Sequence, residues 1–267
     1  MFEHGFNIRE LYPSIYQIEE YRKVNCTLIK GTEKAILWDM GYGVYNLKKQ
    51  IEKMIDTPLI VIASHGHPDH TLGCFQFDTI YLSLDDKEIF KESNSAKTRK
   101  RIAGQIERRG VFTEEDSKKY IKHKLPEIKE ITIGTQINLG NIHAEVIDLK
   151  GHTKGSIGLL LKEPKILLTG DAICNDLWLF LPESESIKTN IKSIENTFKL
   201  PFDYFIAAHK QELYPKAHIQ DILDNLKNLS LENSRELRVL KNYDVYESRV
   251  STPYGDSSIL YVEDKLD

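Results

Sequence analysis

The feature that most constrains this chain is a histidine-rich segment, Ser64–His70 (Ser-His-Gly-His-Pro-Asp-His), directly after the apolar run Leu59–Ala63. The apolar run has the length and composition of a buried strand that ends in a loop. Because side chains alternate along an extended chain, the first two histidines and the aspartate are expected to point to one side. Gly66 and Pro68 permit a bend, after which the aspartate and the last histidine face a second point. The segment therefore predicts a site for two metal ions.

Three imidazoles and a carboxylate so close together have two explanations. Buried without a cation, they would repel one another or leave polar atoms unsatisfied, which is costly. A solvated histidine-rich loop avoids that cost, but such a loop does not normally follow a buried strand. Metal binding is therefore the favoured explanation. Imidazole and carboxylate ligands together suit zinc, and also iron or manganese.

The motif His-Gly-His-Pro-Asp-His resembles the His-x-His-x-Asp-His signature of the metallo-β-lactamase fold hydrolases. Four further segments resemble segments of that family and occur in the same order. Asp39 ends an apolar strand, and His152 lies in Gly-His-Thr-Lys-Gly-Ser. Asp171 lies in Gly-Asp, and His209 follows Ala208, where the family usually has a glycine. The resemblance covers most of the chain.

This resemblance implies an α/β fold, the αββα four-layer sandwich, with metals at one edge of the sheets. It also implies two divalent metal ions, most simply zinc, held by seven side chains. The implied ligands are His65, His67 and His152 at one ion, Asp69, His70 and His209 at the other, and Asp171 bridging both. A hydroxide bridging the ions would attack the substrate, with Asp69 and Asp171 as catalytic carboxylates. Asp39 would accept the N–H of a ligating imidazole and orient it, the alternative being an acidic turn residue.

Length and composition restrict the class of protein. With 267 residues the chain is near the upper size of a single core, and we predict one domain over residues 1–267. No segment approaches a membrane span, and Met1–Phe6 lacks the features of a secretory signal. The formal charge of −4 indicates no nucleic-acid partner, and three widely spaced cysteines are typical of reduced thiols. We therefore expect a cytoplasmic enzyme with a small-molecule substrate, and the sequence leaves a homodimer open.

Apolar runs and turn residues predict two halves, each a sheet covered by helices. Helices are predicted at residues 44–55, 184–199 and 218–233 from the spacing of apolar residues. Residues 83–124 are charged and rich in helix formers, which predicts a helical insertion of two or three helices. The clearest is Thr98–Arg109, and Thr113 is the expected cap of another. This insertion is either a lid over the site or a solvated connection.

The ligand set narrows the expected reaction. With aspartate rather than cysteine at position 171, the set resembles those of glyoxalase II and lactonase-type hydrolases, so a thioester or lactone is the expected substrate. Phosphodiesterase activity is the nearest alternative, followed by a sulfur dioxygenase with one iron. A non-catalytic binding protein is disfavoured by the complete ligand set. Cys174 is expected to contribute packing or a pocket wall, and Trp178–Leu181 either line an apolar pocket or belong to the core.

Overall fold

The computed structural model of the protein describes residues 5–241, 244–253 and 255–266. Residues 1–4, which are part of the Met1–Phe6 segment considered above, lie outside these ranges. Contacts divide the chain into two compact units, Met1–Ile131 and Thr132–Asp267. Each unit has its own sheet, helices and hydrophobic core. That residues 1–267 form one domain stays a prediction.

The first unit is built on a seven-stranded sheet whose strands lie side by side in chain order. Its strands are β1 (Asn7–Tyr12), β2 (Ile15–Glu19), β3 (Asn25–Lys30), β4 (Ala35–Trp38), β5 (Leu59–Ile62), β6 (Thr79–Leu82) and β7 (Glu127–Glu130). The strands β1 to β4 are antiparallel to their neighbours, and β4 to β7 run parallel. The loops that follow β4, β5 and β6 therefore leave the same edge of the sheet.

The helices of the first unit begin at polar caps. They are α1 (Leu47–Glu52), α2 (Pro68–Thr71), α3 (Lys87–Ser93), α4 (Ala96–Arg108) and α5 (Glu114–Ile121). The side chain of Asn46 accepts the Lys49 N–H at 3.0 Å, so α1 begins later than predicted and is shorter than residues 44–55. The predicted cap at Thr113 is confirmed, and it forms a reciprocal capping box with Asp116.

The helical segment between β6 and β7 has a small core of its own. Ile102 and Ile106 on α4 and Tyr120 on α5 are buried with Val44 and Leu72. The predicted helices over residues 83–124 are confirmed, with α3 as the third. Because these helices are anchored by buried apolar side chains, the segment is an ordered part of the first unit. Its action as a lid stays a prediction.

The second unit contains two sheets and two helices. Its elements are β8 (Gln136–Asn138), β9 (His143–Asp148), β10 (Ile157–Leu161), β11 (Ile166–Gly170), β12 (Asp176–Leu179), α6 (Ile187–Phe198), β13 (Tyr204–Ala207), β14 (Tyr214–Pro215), α7 (His218–Lys227), β15 (Ser234–Lys241), β16 (Asp244–Ser251) and β17 (Ser258–Tyr261). One sheet has the order β14-β13-β11-β10-β9-β8 and the other β12-β17-β16-β15. In the first of these, β11 and β13 are parallel neighbours.

Two predictions for the second unit can be compared with the structure: the end of the last helix and the location of residues 178–181. Helix α7 ends at Lys227, earlier than the predicted residue 233, and Asn228 is its C-terminal cap, whose backbone N–H and side-chain amide both donate to the Asp224 carbonyl, at 3.0 and 2.8 Å. In the segment 178–181, residues 179–181 are buried and Trp178 is half-buried, so most of it belongs to the core.

The three cysteines are free thiols, and all are buried. Cys26 lies in β3, Cys74 follows the histidine-rich loop, and Cys174 precedes β12. Burial raises the pKa of each thiol. Among the residues that the structure describes, no helix is both long and apolar enough to cross a bilayer.

Candidate metal centre

Two neighbouring parallel strands bring the first group of candidate ligands together. Trp38 at the end of β4 lies opposite Ile62 at the end of β5, and the Asp39 N–H donates to the Ile62 carbonyl at 2.8 Å. Asp39 and the histidine-rich loop thus leave the sheet at one edge, as the chain order of apolar strands predicts. The carboxyl ends of parallel strands are common positions for binding sites.

Pro68 changes the geometry of the loop from the one expected. It is the first residue of α2, with His67 as the preceding cap, because its fixed φ suits the first turn of a helix. Asp69 and His70 therefore project from a helical turn. The expectation that the chain stays extended through Asp69 is wrong, whereas the bend that brings His70 to a second point is present.

The histidine-rich loop packs against the start of the helical segment between β6 and β7. The Gly66 N–H donates to the buried Asp86 carboxylate at 2.8 Å. A Cβ at Gly66 would lie 2.9 Å from the Phe90 nitrogen on α3, so only glycine permits this close approach. The Thr71 hydroxyl donates to the His67 carbonyl at 2.9 Å. These contacts fix the backbone that carries the histidines.

Asp39 accepts three hydrogen bonds and organises the loop. Its Oδ1 accepts the Ser64 N–H at 2.7 Å, and its Oδ2 accepts the Ser64 hydroxyl at 2.9 Å and His70 Nδ1 at 2.8 Å. The residue has a φ of 65°, a left-handed conformation that aspartate and asparagine tolerate better than most residues. Because the carboxylate accepts a hydrogen bond from Nδ1–H, the proton of His70 is on Nδ1 and its lone pair is on Nε2.

Ser64 extends this control to His65. The Ser64 hydroxyl donates its proton to Asp39, so it accepts a hydrogen bond from His65 Nδ1, which lies at 2.9 Å. The lone pair of His65 is then on Nε2. Ser64 is the first residue of the histidine-rich segment, and its role is not predictable from the motif.

The imidazoles of the first unit are buried at very short separations. His65, His67 and His70 are 1%, 3% and 0% exposed. His65 Nε2 lies 3.0 Å from His67 Nδ1, and the ring centroids of His65 and His70 are 4.1 Å apart. Asp69 contributes an oxygen 4.0 Å from His70 Nε2. Within each of the pairs His65–His67 and Asp69–His70, the donor atoms are close enough to bind one cation.

The second unit brings three candidate ligands to the ends of its strands. Asp171 follows β11 and His209 follows β13, and these strands are parallel neighbours. His152 lies in the loop between β9 and β10. The Oδ2 atom of Asp171 lies 3.1 Å from His209 Nε2 and 3.8 Å from His152 Nε2. One carboxylate oxygen is thus close to both imidazoles.

His152 is oriented by backbone atoms. Its Nδ1 lies 2.8 Å from the carbonyl oxygen of Trp178, to which it donates, so its lone pair is on Nε2. The carbonyl oxygen of His152 accepts the Ser184 hydroxyl at 2.9 Å. No sequence signal identifies the Trp178 contact, because any residue at that position of β12 offers the same carbonyl.

Cys174 lies beside the backbone of this region. Its thiol donates to the carbonyl oxygens of Asp171 and Asp176, at 3.5 and 3.3 Å, and its side chain belongs to the core of the second unit. Burial raises the pKa of this thiol well above its usual value, and the negative charges of Asp171 and Asp176 raise it further. This placement agrees with the packing role expected from the sequence.

Glu20 fixes the loop that follows Asp39. Its buried carboxylate accepts the backbone N–H groups of Tyr42, Gly43 and Tyr45 at 2.7, 3.2 and 3.1 Å. Burial nevertheless raises the pKa of Glu20 to about 7 against the opposing effect of these donors. No motif in the sequence marks Glu20, because its partners are backbone N–H groups more than 20 positions away.

The amino-acid sequence is similar to a known family and to several characterised proteins. A sequence model described as the metallo-beta-lactamase superfamily matches residues 21–209, which include all seven candidate ligands. The human acyl-coenzyme A thioesterase MBLAC2 is 26% identical over 170 residues, covering 58% of this chain and 60% of that protein. The hydroxyacylglutathione hydrolase GloC of Haemophilus influenzae is 28% identical over 154 residues, covering 56% and 66%. The chain thus spans less than two thirds of the length of either relative.

Solved structures are similar over a larger part of the chain. A crystal structure of the DIM-1 metallo-beta-lactamase exposed to ceftazidime has a TM-score of 0.62 at 14% identity, covering 86% of this chain and 100% of that one. The sec-alkylsulfatase Pisa1 from a Pseudomonas species also has a TM-score of 0.62, at 16% identity, covering 83% and 41%. At these identities the likeness shows the fold alone. It confirms the predicted α/β fold of the metallo-β-lactamase type.

Proposed function

Because this chain belongs to the metallo-beta-lactamase superfamily, we propose that it is a metal-dependent hydrolase of small thioesters. One observation supports this proposal more than any other. In His65, His70 and His152, Nδ1 is bonded to a protein oxygen, which leaves the Nε2 lone pair for a ligand. Outer hydrogen bonds of this kind are typical of metal-ligating histidines.

The side chains that are present fit divalent metal ions. Imidazole nitrogens and carboxylate oxygens, without a thiolate, suit zinc, with iron and manganese as alternatives. Within the first unit the donor atoms of His65 and His67 lie within 4.8 Å of one another, as do those of Asp69 and His70. A buried group of imidazoles is unfavourable without a cation. The donor chemistry therefore favours resident metal.

We assign the ligands of two ions as a proposal. His65, His67 and His152 would hold one ion, and Asp69, His70 and His209 the other. Asp171 would contribute to both, which agrees with the position of its Oδ2 close to both His152 and His209. Asp39 would hold His70 directly and His65 through Ser64. This would keep both imidazoles in the tautomer that binds metal.

Two bound divalent ions would supply the acidity that activates water and polarises a carbonyl group at neutral pH. The residues of this chain then have two tasks. The hydrogen bonds at Nδ1 fix the orientation of the buried imidazoles, so that their Nε2 atoms are positioned to bind metal. The Asp171 carboxylate would supply negative charge next to the bound cations. Rigid strand ends carry both groups, which limits the motion of the reacting centre.

A thioester is the proposed substrate bond for a chemical reason and a comparative one. Thioester carbonyls are electrophilic, and attack expels a good leaving group, a thiolate. Two relatives are named for acyl-coenzyme A and hydroxyacylglutathione, both of which are thioesters. Lactones, phosphodiesters and persulfides stay as alternatives that the same experiment distinguishes.

The test combines metal analysis with a substrate panel. The purified protein is offered an acyl-coenzyme A, an S-acylglutathione, a homoserine lactone, bis-p-nitrophenyl phosphate and a persulfide, and bound metals are counted by elemental analysis. We expect two zinc ions per chain and thiol release from the thioesters. Asp171→Ala should lose both metal and hydrolysis. Asp203→Ala, a 60% exposed carboxylate in the same unit, is the matched control and should lose neither.

Other outcomes would contradict the proposal in identifiable ways. One iron per chain with oxygen consumption on a persulfide would indicate a dioxygenase. Turnover of the phosphodiester alone would indicate a phosphodiesterase. Full thioesterase activity in Asp171→Ala would remove that residue from the metal site.

A further inference from the structure

A strained turn between β2 and β3 presents two cations. Arg22 and Lys23 have φ values of 62° and 60°, so two successive long side chains occupy the left-handed region. A backbone hydrogen bond of 2.7 Å from the Glu20 N–H to the Val24 carbonyl closes the turn. Both side chains are exposed. Such conformations are energetically costly and are enriched at functional sites.

A third cation joins them from the end of α4. The Arg109 guanidinium lies over the Tyr21 ring, 5.8 Å from its centroid. Arg22 donates to the neutral Gln105 side chain at 3.2 Å. Across residues 5–241, 244–253 and 255–266, neither arginine nor Lys23 forms an ion pair with a carboxylate. The cluster therefore carries about three positive charges without internal neutralisation.

Tyr21 adds a polar atom that lacks a protein partner. Its hydroxyl is buried and makes no hydrogen bond to any part of the chain that the structure describes. Buried hydroxyl groups are normally bonded to protein, water or ligand. A phenol whose ring faces the Arg109 guanidinium and whose chain neighbour is Arg22 offers a donor to an oxyanion that these cations attract.

Tyr42 connects this cluster to the candidate metal centre. Its ring meets the Tyr21 ring edge to face at a centroid distance of 6.0 Å. Burial raises the pKa of the Tyr42 hydroxyl, the negative charge of Asp69 raises it further, and the positive charge of Arg22 opposes both. The charges of a candidate ligand, Asp69, and of one member of the cationic cluster, Arg22, thus act on the same hydroxyl in opposite directions. Glu20 and Tyr120 hold the Tyr42 backbone through bonds of 2.7 and 2.6 Å.

We propose that Tyr21, Arg22, Lys23 and Arg109 form a subsite for the anionic end of the thiol carrier in the thioester substrate. This inference rests on the proposed function. Arginine binds phosphate and carboxylate with the same planar pair of donors, so the shared chemistry is an oxyanion remote from the thioester. Coenzyme A offers several phosphate charges and glutathione offers carboxylates. Three cations and a phenol match the phosphates more closely.

The kinetic test compares carriers that differ in charge. KM and kcat are measured for an acetyl-coenzyme A, an S-acetylglutathione and the uncharged acetyl-N-acetylcysteamine. The variants are Arg22→Asn, which keeps a residue that tolerates the left-handed turn, and Arg109→Gln. Lys34→Ser, an exposed cation at the opposite end of β3, is the matched control.

We expect each variant to raise KM for the coenzyme A thioester about tenfold, with kcat unchanged, because one charge-assisted contact is lost. The uncharged thioester and the control variant should show no change. A rise for S-acetylglutathione alone would assign the subsite to carboxylates. Equal changes for the charged and uncharged carriers, or none, would overturn the inference while leaving the proposed hydrolysis intact.

A binding measurement separates the subsite from catalysis. Adenosine 3′,5′-bisphosphate, which carries phosphates but no thiol, is titrated calorimetrically into the metal-loaded protein, with S-methylglutathione as the second ligand. Binding that weakens in Arg22→Asn and with added salt supports the subsite even if no thioester is hydrolysed. Absence of binding by either ligand, together with unchanged KM values, refutes it.

Discussion

Replacing Asp39 by asparagine should reduce metal affinity without unfolding the protein. Asparagine tolerates the φ of 65°, and its carbonyl oxygen can still accept the Ser64 N–H that Asp39 accepts at 2.7 Å. Its amide NH2 would face the Ser64 hydroxyl and His70 Nδ1, which now donate to the carboxylate at 2.9 and 2.8 Å. His70 could satisfy that donor only by moving its proton to Nε2. The lone pair intended for metal would then be lost.

The size of the effect follows from this change of tautomer. Loss of an outer partner of a ligating histidine lowers metal affinity by about 10–100-fold, or about 1.4–2.7 kcal/mol. Alanine would be a poorer test, because it would leave three buried donors without an acceptor at about 1–3 kcal/mol each. A total of that size approaches the whole stability of a typical domain. Asparagine separates the metal effect from unfolding.

The assay is competition for zinc with a chromophoric chelator, alongside urea unfolding in excess chelator. Asp39→Asn should bind zinc about 10–100-fold more weakly while unfolding at a urea midpoint close to that of the unmodified protein. Asp148→Asn is the matched control, since it also ends a strand, accepts a backbone N–H at 3.0 Å and is exposed. Unchanged zinc affinity in Asp39→Asn would refute the role assigned to the carboxylate.

Three further predictions concern residues around the site. Burial raises the pKa of Glu20 to about 7 from 4.5, so the folded state holds this proton more tightly than the unfolded state. The contribution of Glu20 to the free energy of unfolding should therefore be complete below pH about 4.5 and fall by about 3 kcal/mol as pH rises from there to about 7. Glu20→Gln should flatten that dependence in urea titrations, and an unchanged slope would contradict the assignment. Thr113→Ala should lower stability by about 1 kcal/mol in the same assay, with Thr113→Ser restoring it; equal stability would argue against the capping box. Cys174→Ala should keep the full metal content by elemental analysis, whereas loss of an ion would make the thiol a ligand.

The sequence predicted strands best where both faces are buried. The runs before Asp39 and before the histidine-rich segment, which form β4 and β5, are almost entirely apolar, and the structure exposes no residue of either strand. The strands β1 and β7 were missed because they lie at the two edges of their sheet and are mostly exposed and polar. Their strand conformation depends on a neighbour, which local sequence does not reveal.

The residues of the candidate site were predictable where they are close together in sequence. Motif spacing identified His65, His67 and His70 as one group, because these residues are close in sequence. Asp39 could be added only through the family resemblance, since its partner His70 is 31 positions away. The Trp178 carbonyl could not be found, because backbone acceptors carry no side-chain signal. The first turn of α2 could have been predicted, since Pro68 is typical of the first position of a helix.

The buried thiols provide this protein with internal reporters of its own opening motions. Because a thiol reagent attacks the exposed thiolate, Cys26, Cys74 and Cys174 become labelled only when their surroundings open. Two of these thiols belong to the first compact unit and one to the second. Mass spectrometry of labelled peptides would therefore yield separate opening rates for the strand β3, the segment after the histidine-rich loop and the core beside Asp171, without an engineered probe.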